Sequence, residues 1–363
     1  MSKKIFYTPG PSGLYPGLEK HLQKALEEHI PSISHRSNHF RGIYQDTFET
    51  LKSLFNIPQG FAVLFTGSAT EIWERIIMSC VEEHSFHLVN GSFSQKFHET
   101  AQQLRKNAHK IEVPMGEGFE LNTLEVFYKS ELIALTHNET STGVSMPTED
   151  IHRLKEMNPN KLLAVDMVSS APYPQLDFNK IDMAFFSVQK GFGLPAGLGV
   201  WIVHERCLAK SEKLSNAGFI TGTYHRLSTL WNFFEKFQTP ETPNVLGIYL
   251  LQKVAADMLK KGIKQIRKET DEKAKMLYEF LEQEEGFDIF VKNPAHRSST
   301  VIIANTGFQS SKLIQKLSEK GFEIGSGYGE NKDRQIRIAN FPGTSQAEME
   351  KLLDAMKKLR GSI

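Results

Sequence analysis

Between residues 62 and 203, short apolar runs alternate with longer amphipathic stretches, and this alternation limits the fold more than any other feature of the chain. The runs cover 62–65 (AVLF), 86–89, 132–136 (LIALT), 162–165 (LLAV), 184–188 and 198–203. Each is long enough for a buried strand and too short for a helix. The stretches between them carry apolar residues at helical spacing, as in EIWERIIMSCVEE, and one opens on Pro147, a residue suited to a first helical turn. Strands that alternate with helices predict a mainly parallel sheet covered on both faces. From 245 to about 285 the pattern is helical with a break near Gly262, which predicts two helices. HRSSTVIIAN, a helical stretch over 310–320, FEIGSG, RQIRIANF and SQAEMEKLLDAMKKLR then predict a smaller α+β unit. The expected division is a large domain over 1–255, with an irregular segment at Thr8-Pro9-Gly10-Pro11-Ser12-Gly13, and a small domain over 256–363.

The charge balance narrows the function. Lys plus Arg (43) nearly equals Asp plus Glu (42), so the net charge is +1. That leaves no basic surplus for nucleic acid or an anionic membrane, and neither partner is expected. No apolar run approaches the about 18 residues needed to span a bilayer. Cys80 and Cys207 lack paired metal-ligand spacing. His35 and His39 have the spacing of two ligands, but no third stands out, so no metal site is expected. The opening MSKKIFYTPGPSG holds no apolar stretch of signal-peptide length, and a reducing cytoplasm is the expected compartment.

Ligands of open α/β sheets bind beyond the carboxyl ends of the strands. Asp166 ends LLAVD, and Lys190 ends AFFSVQK 24 residues later. Alone, Asp166 fits a helix cap and Lys190 a solvated rim lysine. Together they fit a cofactor site. A lysine in a dry, crowded pocket has its ammonium disfavoured and its pKa lowered. Its amine can then form a Schiff base with an aldehyde. Pyridoxal phosphate (PLP) needs such a lysine, and a carboxylate beside its pyridine nitrogen to keep the ring protonated as an electron sink. The glycines after Lys190 allow close backbone approach. Thr66-Gly67-Ser68-Ala69-Thr70 joins a strand to a helix, which presents N–H groups to a phosphate, although any such turn shares its small residues. There is no Gly-Lys-[Ser/Thr] and hence no P-loop. Gly191-Phe192-Gly193-Leu194-Pro195-Ala196 matches a dinucleotide fingerprint, but strand-like LGVWIV follows where that fingerprint requires a helix.

SVQKGFG, VDMVSSAPY, TGSAT, NETSTG and RQIRIANF, as an ordered set along nearly the whole chain, resemble the class V PLP-dependent aminotransferases of fold type I. The resemblance implies the fold type I PLP-transferase architecture, with a mainly parallel sheet of the seven-stranded type. It implies that Lys190 is the catalytic residue and carries the aldimine, that Asp166 pairs with the pyridine nitrogen, and that Gly67, Ser68, Ala69 and Gln189 bind the cofactor phosphate. Thr140 would lie near the ring hydroxyl. Phe93, in NGSFSQ, would stack on the ring; it also fits an ordinary core position. Gln238 and Thr239, in FQTPETPN, match a segment that reaches across a dimer interface to the cofactor phosphate, and they also read as a proline-rich turn before a helix. His35 and Arg36, in SISHRSNHF, match a pair that approaches the substrate's distal group from the partner chain. A homodimer with shared active sites is therefore implied. Arg337 alternates with Ile336 and Ile338, and matches the arginine that grips the substrate's α-carboxylate through two parallel hydrogen bonds.

Within the family, the chain is most similar to the enzymes of serine biosynthesis that exchange phosphoserine and 3-phosphohydroxypyruvate with glutamate and 2-oxoglutarate in a ping-pong mechanism. Those enzymes commonly carry a second His-Arg pair before the final arginine strand, where this chain has Gly327-Tyr328-Gly329-Glu330-Asn331. A phosphate of charge about −2 wants several cationic donors. The alternative is an aminotransferase acting on serine or alanine with glyoxylate or pyruvate. A cysteine desulfurase needs a reactive cysteine on a late loop, and neither Cys80 nor Cys207 is so placed. A non-catalytic binding protein of this fold would not need Lys190, Asp166 and Arg337 together.

Overall fold

The computed structural model describes residues 4–360. β1 (Ile5–Tyr7), α1 (Leu18–Glu27) and α2 (Asn38–Phe55) precede β2 (Phe61–Thr66), α3 (Ala69–Cys80), β3 (His84–Val89), α4 (Ser92–Gln103) and β4 (Asn107–Glu112). Then come β5 (Leu132–Thr136), the short hairpin of β6 (Asn138–Glu139) and β7 (Val144–Ser145), α5 (Thr148–Met157), β8 (Leu162–Asp166), β9 (Met183–Ser187) and β10 (Gly199–His204). Helices α6 (Glu205–Asn216), α7 (Leu227–Phe234), α8 (Val245–Lys261) and α9 (Ile263–Gln283) follow. The chain closes with β11 (Phe287–Ile289), β12 (Val301–Thr306), α10 (Ser310–Glu319), β13 (Phe322–Ser326), β14 (Gln335–Ala339) and α11 (Gln346–Arg360).

Seven strands form one sheet in the order β2-β10-β9-β8-β5-β3-β4. Neighbours are parallel except at β10, which runs antiparallel to both β2 and β9. Successive residues alternate between two cores. Val63, Phe65, Ile133, Leu135, Val165 and Phe186 face one; Leu64, Ala134, Ala164, Phe185 and Trp201 face the other. Burial on both faces is why these strands read as unbroken apolar runs. The seventh strand, β4, has no such run. It lies at the edge, pairs only with β3, and its sequence NAHKIE is half exposed. An edge strand can stay polar, so periodicity does not reveal it.

The second sheet has five strands in the order β1-β13-β14-β12-β11. α9, α10 and α11 cover it through Leu277, Leu281, Leu313, Leu317, Leu352 and Met356. β1 pairs with β13, Ile5 opposite Phe322 and Tyr7 opposite Ile324. Three residues carry too little pattern to predict a strand, so the sequence placed them with the large domain. The expected boundary near 255 falls inside α8, where Val254, Ala255 and Met258 still belong to the large core. Buried side chains pass to the smaller core between Ile266 and Ala274 of α9. We therefore propose a division within α9, with β1 assigned to the smaller unit.

The turn after β9 explains the glycines beside Lys190. Gly193 has φ +57°, a left-handed conformation, and a Cβ there would stand 2.5 Å from the Tyr15 nitrogen. A Cβ on Gly191 would stand 1.9 Å from the Ala171 carbonyl oxygen. The chain then returns directly as β10, so no helix opens at 191–196. Because the obstacle at Gly191 is backbone, Gly191→Ala should destabilise the protein by about 2 kcal/mol or more. Urea unfolding with an unchanged midpoint would contradict this packing.

Candidate active site

β8 and β9 are parallel neighbours, so Asp166 and Lys190 emerge at the same end of the sheet. Asp166 is 3% exposed. Trp73 Nε1, on α3, donates to its Oδ2 at 3.1 Å, and the Val168 N–H donates to its Oδ1 at 2.9 Å. Burial pushes the carboxyl up to about 6, against those two hydrogen bonds and the nearby Lys190 charge. Lys190 is 8% exposed. Burial lowers its amine to about 8, although Asp166 and Glu139 favour the charged form. Its Nζ donates to Thr140 Oγ1 at 3.2 Å and stands 5.3 Å from the Phe93 ring centre. The 8–13 segment is irregular as expected, and it packs against this lysine. Ser12 Oγ donates to the Lys190 carbonyl at 2.8 Å, and a Cβ on Gly10 would stand 2.9 Å from Lys190 Cε.

Glu139 organises the other wall. It is fully buried. Its carboxylate accepts from the backbone N–H groups of Phe93 (3.1 Å) and Ser94 (2.9 Å) at the start of α4, and from the Ser141 hydroxyl at 2.7 Å. The first N–H groups of a helix have no partner within it and attract an anion. Gly91 leaves room for this contact, since a Cβ there would lie 2.4 Å from Glu139 Cγ. The bond holds Phe93 over Lys190.

Arg337 comes from β14 of the smaller sheet. Ile336 and Ile338 enter the core beneath, and Arg337 takes the opposite face. Its Nε donates to the Ser326 carbonyl at 2.7 Å and its Nη1 to the Thr140 carbonyl at 3.3 Å. Tyr328 lies against its guanidinium, 5.4 Å from ring centre to Cζ. The structure thus gathers Lys190, Asp166, Thr140, Phe93 and Arg337 into one cluster.

Gly67, Ser68 and Ala69 lie at the head of α3. Ser68 Oγ caps the helix by accepting from the Glu71 N–H at 3.2 Å, and Ser187 Oγ accepts from the Ala69 N–H at 2.9 Å. The Gly67 N–H donates to Glu71 Oε2 at 2.9 Å. Glu71 also binds His225, whose other ring nitrogen stands 3.3 Å from Glu241. Burial opposes the His225 charge, but the two carboxylates outweigh it and raise the imidazole to about 9. Burial likewise opposes the Glu71 charge, and His225, Gly67 and Arg75 more than reverse it.

His35, Arg36, Gln238 and Thr239 form a separate cluster. Arg36 donates to the carbonyls of Thr239 at 2.8 Å and Pro240 at 3.2 Å, and stacks on Phe233. With its amide oxygen turned to Arg41, Gln238 accepts at 2.8 and 3.0 Å. His35 is half-buried, and burial and Arg36 lower its imidazole. None of these hydrogen bonds reaches Lys190 within the chain.

A family model described as Aminotransferase class-V matches residues 13–331. The chain belongs to the class-V aminotransferases. A phosphoserine aminotransferase of Rhodococcus opacus (strain B4) is 27% identical over 350 residues, 94% of this chain and 91% of the relative. A crystal structure of a phosphoserine aminotransferase from Cytophaga hutchinsonii is 47% identical, with a TM-score of 0.97 and 99% of each chain covered. PLP-bound phosphoserine aminotransferase from Trichomonas vaginalis, 18% identical, shares the fold with a TM-score of 0.77 over 98% of this chain and 100% of that one. The fold type I architecture and the mainly parallel sheet are therefore those of known class-V aminotransferases.

The residues of this class-V aminotransferase fit PLP in three respects. A buried carboxylate faces the same space as a buried amine of lowered pKa. The head of α3, the positive end of a helix, lies at the carboxyl end of β2 and suits an anion. An aromatic ring stands over the lysine. Sequence reading missed Trp73, Glu139, Gly10 and Ser12. Glu139 stood inside the quoted NETSTG, and its chemistry shows only once α4 is brought against it.

Asp166 gives a pH test. Its folded pKa is raised, so folding disfavours the ionised form. The penalty is absent well below 4, grows as the unfolded carboxyl ionises, and is complete above 6. In the cofactor-free protein, the stability of Asp166→Asn relative to the parent should improve by about 2 kcal/mol between pH 4.5 and pH 7.5. A pH-independent difference in urea unfolding would contradict the buried carboxyl.

Proposed function

We propose that this chain is a PLP-dependent phosphoserine:2-oxoglutarate aminotransferase that works as a homodimer in the cytoplasm. The observation that carries the reading is the pairing of Lys190, its amine lowered to about 8, with the buried Asp166 on the adjacent strand end. The substrate choice is supported by relatives named phosphoserine aminotransferase, one of them 47% identical over 99% of the chain. The dimer is supported by the Arg36–Thr239 cluster, whose groups, left apart from Lys190 in one chain, would serve a partner's site.

PLP, when bound, supplies an aldehyde for Lys190 and a protonated ring that withdraws electrons from the substrate's α-carbon. Asp166 would hold the ring nitrogen protonated, with Trp73 and Val168 fixing its carboxylate. Thr140 Oγ1 and the Phe93 ring would set the tilt and one face of the ring. Gly67, Ser68, Ala69 and Gln189 would hold the phosphate, and Gln238 and Thr239 of the partner subunit would complete its cradle. Arg337 would bind the substrate's α-carboxylate through its remaining N–H groups. That contact orients the α-hydrogen toward Lys190. An amine of pKa about 8 is partly neutral at physiological pH. Its Nζ can therefore take the α-proton as a general base. Lys190 is 8% exposed, so little water reaches its amine.

The test is half-reaction spectroscopy on the purified holoenzyme, which should absorb near about 410 nm through the lysine Schiff base. Lys190→Ala should lose this band. L-phosphoserine and L-glutamate should bleach it rapidly, and L-serine and L-alanine slowly. Bleaching by serine or alanine alone would replace the phosphoserine reading with a serine or alanine aminotransferase using glyoxylate or pyruvate. The Gly327-Tyr328-Gly329 segment is what gives that second reading its place.

A further inference from the structure

Lys96 stands on α4 three residues beyond Phe93, and its placement is unusual for an exposed helical lysine. Glu99, one turn on, would be its ordinary partner. Instead Glu99 accepts from the Gln95 amide at 2.9 Å. Lys96 reaches across to the smaller unit, and its Nζ donates to Tyr328 Oη at 2.9 Å. The ammonium lies 5.6 Å from the centres of both the Phe93 and Tyr328 rings, which are themselves 5.5 Å apart. Among the described residues it has no carboxylate partner.

The two rings tie this cation to the reacting centre. Phe93 lies over Lys190, and Tyr328 lies against Arg337. Lys96 is thus one ring away from each. Since Tyr328 Oη accepts from Lys96, its own O–H proton is left to donate elsewhere, and the ammonium polarises it. Two further ammonium N–H groups are also unspent. Once Arg337 takes the α-carboxylate, this pair is the nearby group of donors with no anion of its own.

We propose that Lys96 and Tyr328 together recognise a second, distal anion on the amino-acid substrate, a phosphate monoester if the function proposed above holds. A dianionic phosphate offers three acceptor oxygens to such donors. The pair therefore supplies positive charge and hydrogen bonds from within the chain where Gly327-Tyr328-Gly329 lacks a histidine and an arginine. Tyr328 and Lys96 belong to different units, so the anion would be held at the seam between them.

The experiment compares holoenzyme carrying Lys96→Met, Tyr328→Phe or Lys96→Arg with the parent. Single-turnover bleaching of the yellow absorbance is followed against the concentrations of L-phosphoserine and of L-alanine. All three substitutions should keep the absorbance, which shows that the site is folded and loaded. Lys96→Met should raise the half-saturating phosphoserine concentration about 10-fold or more, and Tyr328→Phe about 5-fold, as expected for charge-assisted hydrogen bonds. The limiting rate, and both parameters for alanine, should stay within about 3-fold, and Lys96→Arg should restore most of the affinity. Equal losses with alanine would show a merely structural contact and overturn the proposal. An unchanged phosphoserine response in Lys96→Met would overturn it while leaving the function intact. A parent enzyme that does not react with phosphoserine would overturn the function and this proposal together.

Discussion

One ammonium and two carboxylates, Lys190, Asp166 and Glu139, are withdrawn from water at the carboxyl end of the large sheet. Burying charge is unfavourable unless each group is paired or hydrogen-bonded. The surrounding elements meet that requirement one by one. Trp73 and the Val168 N–H hold Asp166, and the head of α4 holds Glu139. Lys190 has the least support, a single hydroxyl at 3.2 Å, and its amine is the group whose pKa falls. An amine kept dry and weakly partnered is ready for chemistry, and perturbed groups of this kind gather at functional sites. The arrangement makes little sense as a device for stability.

The hairpin beside these charges also joins the two units of the fold. The β6–β7 hairpin carries Glu139 and Thr140, and it lies between the sheets. Thr140 accepts from Lys190 through its hydroxyl and from Arg337 through its carbonyl. Gly143 accepts from the Ser298 N–H at 3.1 Å, and the Ser169 carbonyl accepts from Thr300 Oγ1 at 2.8 Å. The separation of Lys190 and Arg337 therefore depends in part on this hairpin. A shift of the smaller unit on it would move Arg337 relative to Lys190, and small misplacements of this kind are expensive in rate.

Much of this site was legible from sequence because its residues end strands. A strand buried on both faces leaves an apolar run, and a charged residue at its end marks the carboxyl edge where ligands bind. Asp166 and Lys190 stood out for that reason, and Arg337 for its alternation with two buried isoleucines. Phe93 and Thr140 came from the family resemblance, and the structure places both beside Lys190. Residues that act across the fold left no such mark. Trp73 reads as one apolar position on a helix, Glu139 as one polar residue in a loop, and Gly10 as part of an irregular segment; each gains its role only from a neighbour far along the chain. β1 and β4 were missed because one is too short and the other too polar to carry a pattern. Tyr328 was visible only as a departure, and its link to Lys96 required coordinates. For His35, Arg36, Gln238 and Thr239, a single chain shows that they lie together, since their proposed target belongs to a second chain.

The central claim is that Lys190, and no other lysine of this chain, is the amine that holds the cofactor. Borohydride reduction of the holoenzyme, followed by peptide mapping in a mass spectrometer, tests it most directly. The account predicts a single phosphopyridoxyl adduct, on Lys190. An adduct on another lysine, such as Lys96, or no adduct at all, would contradict it.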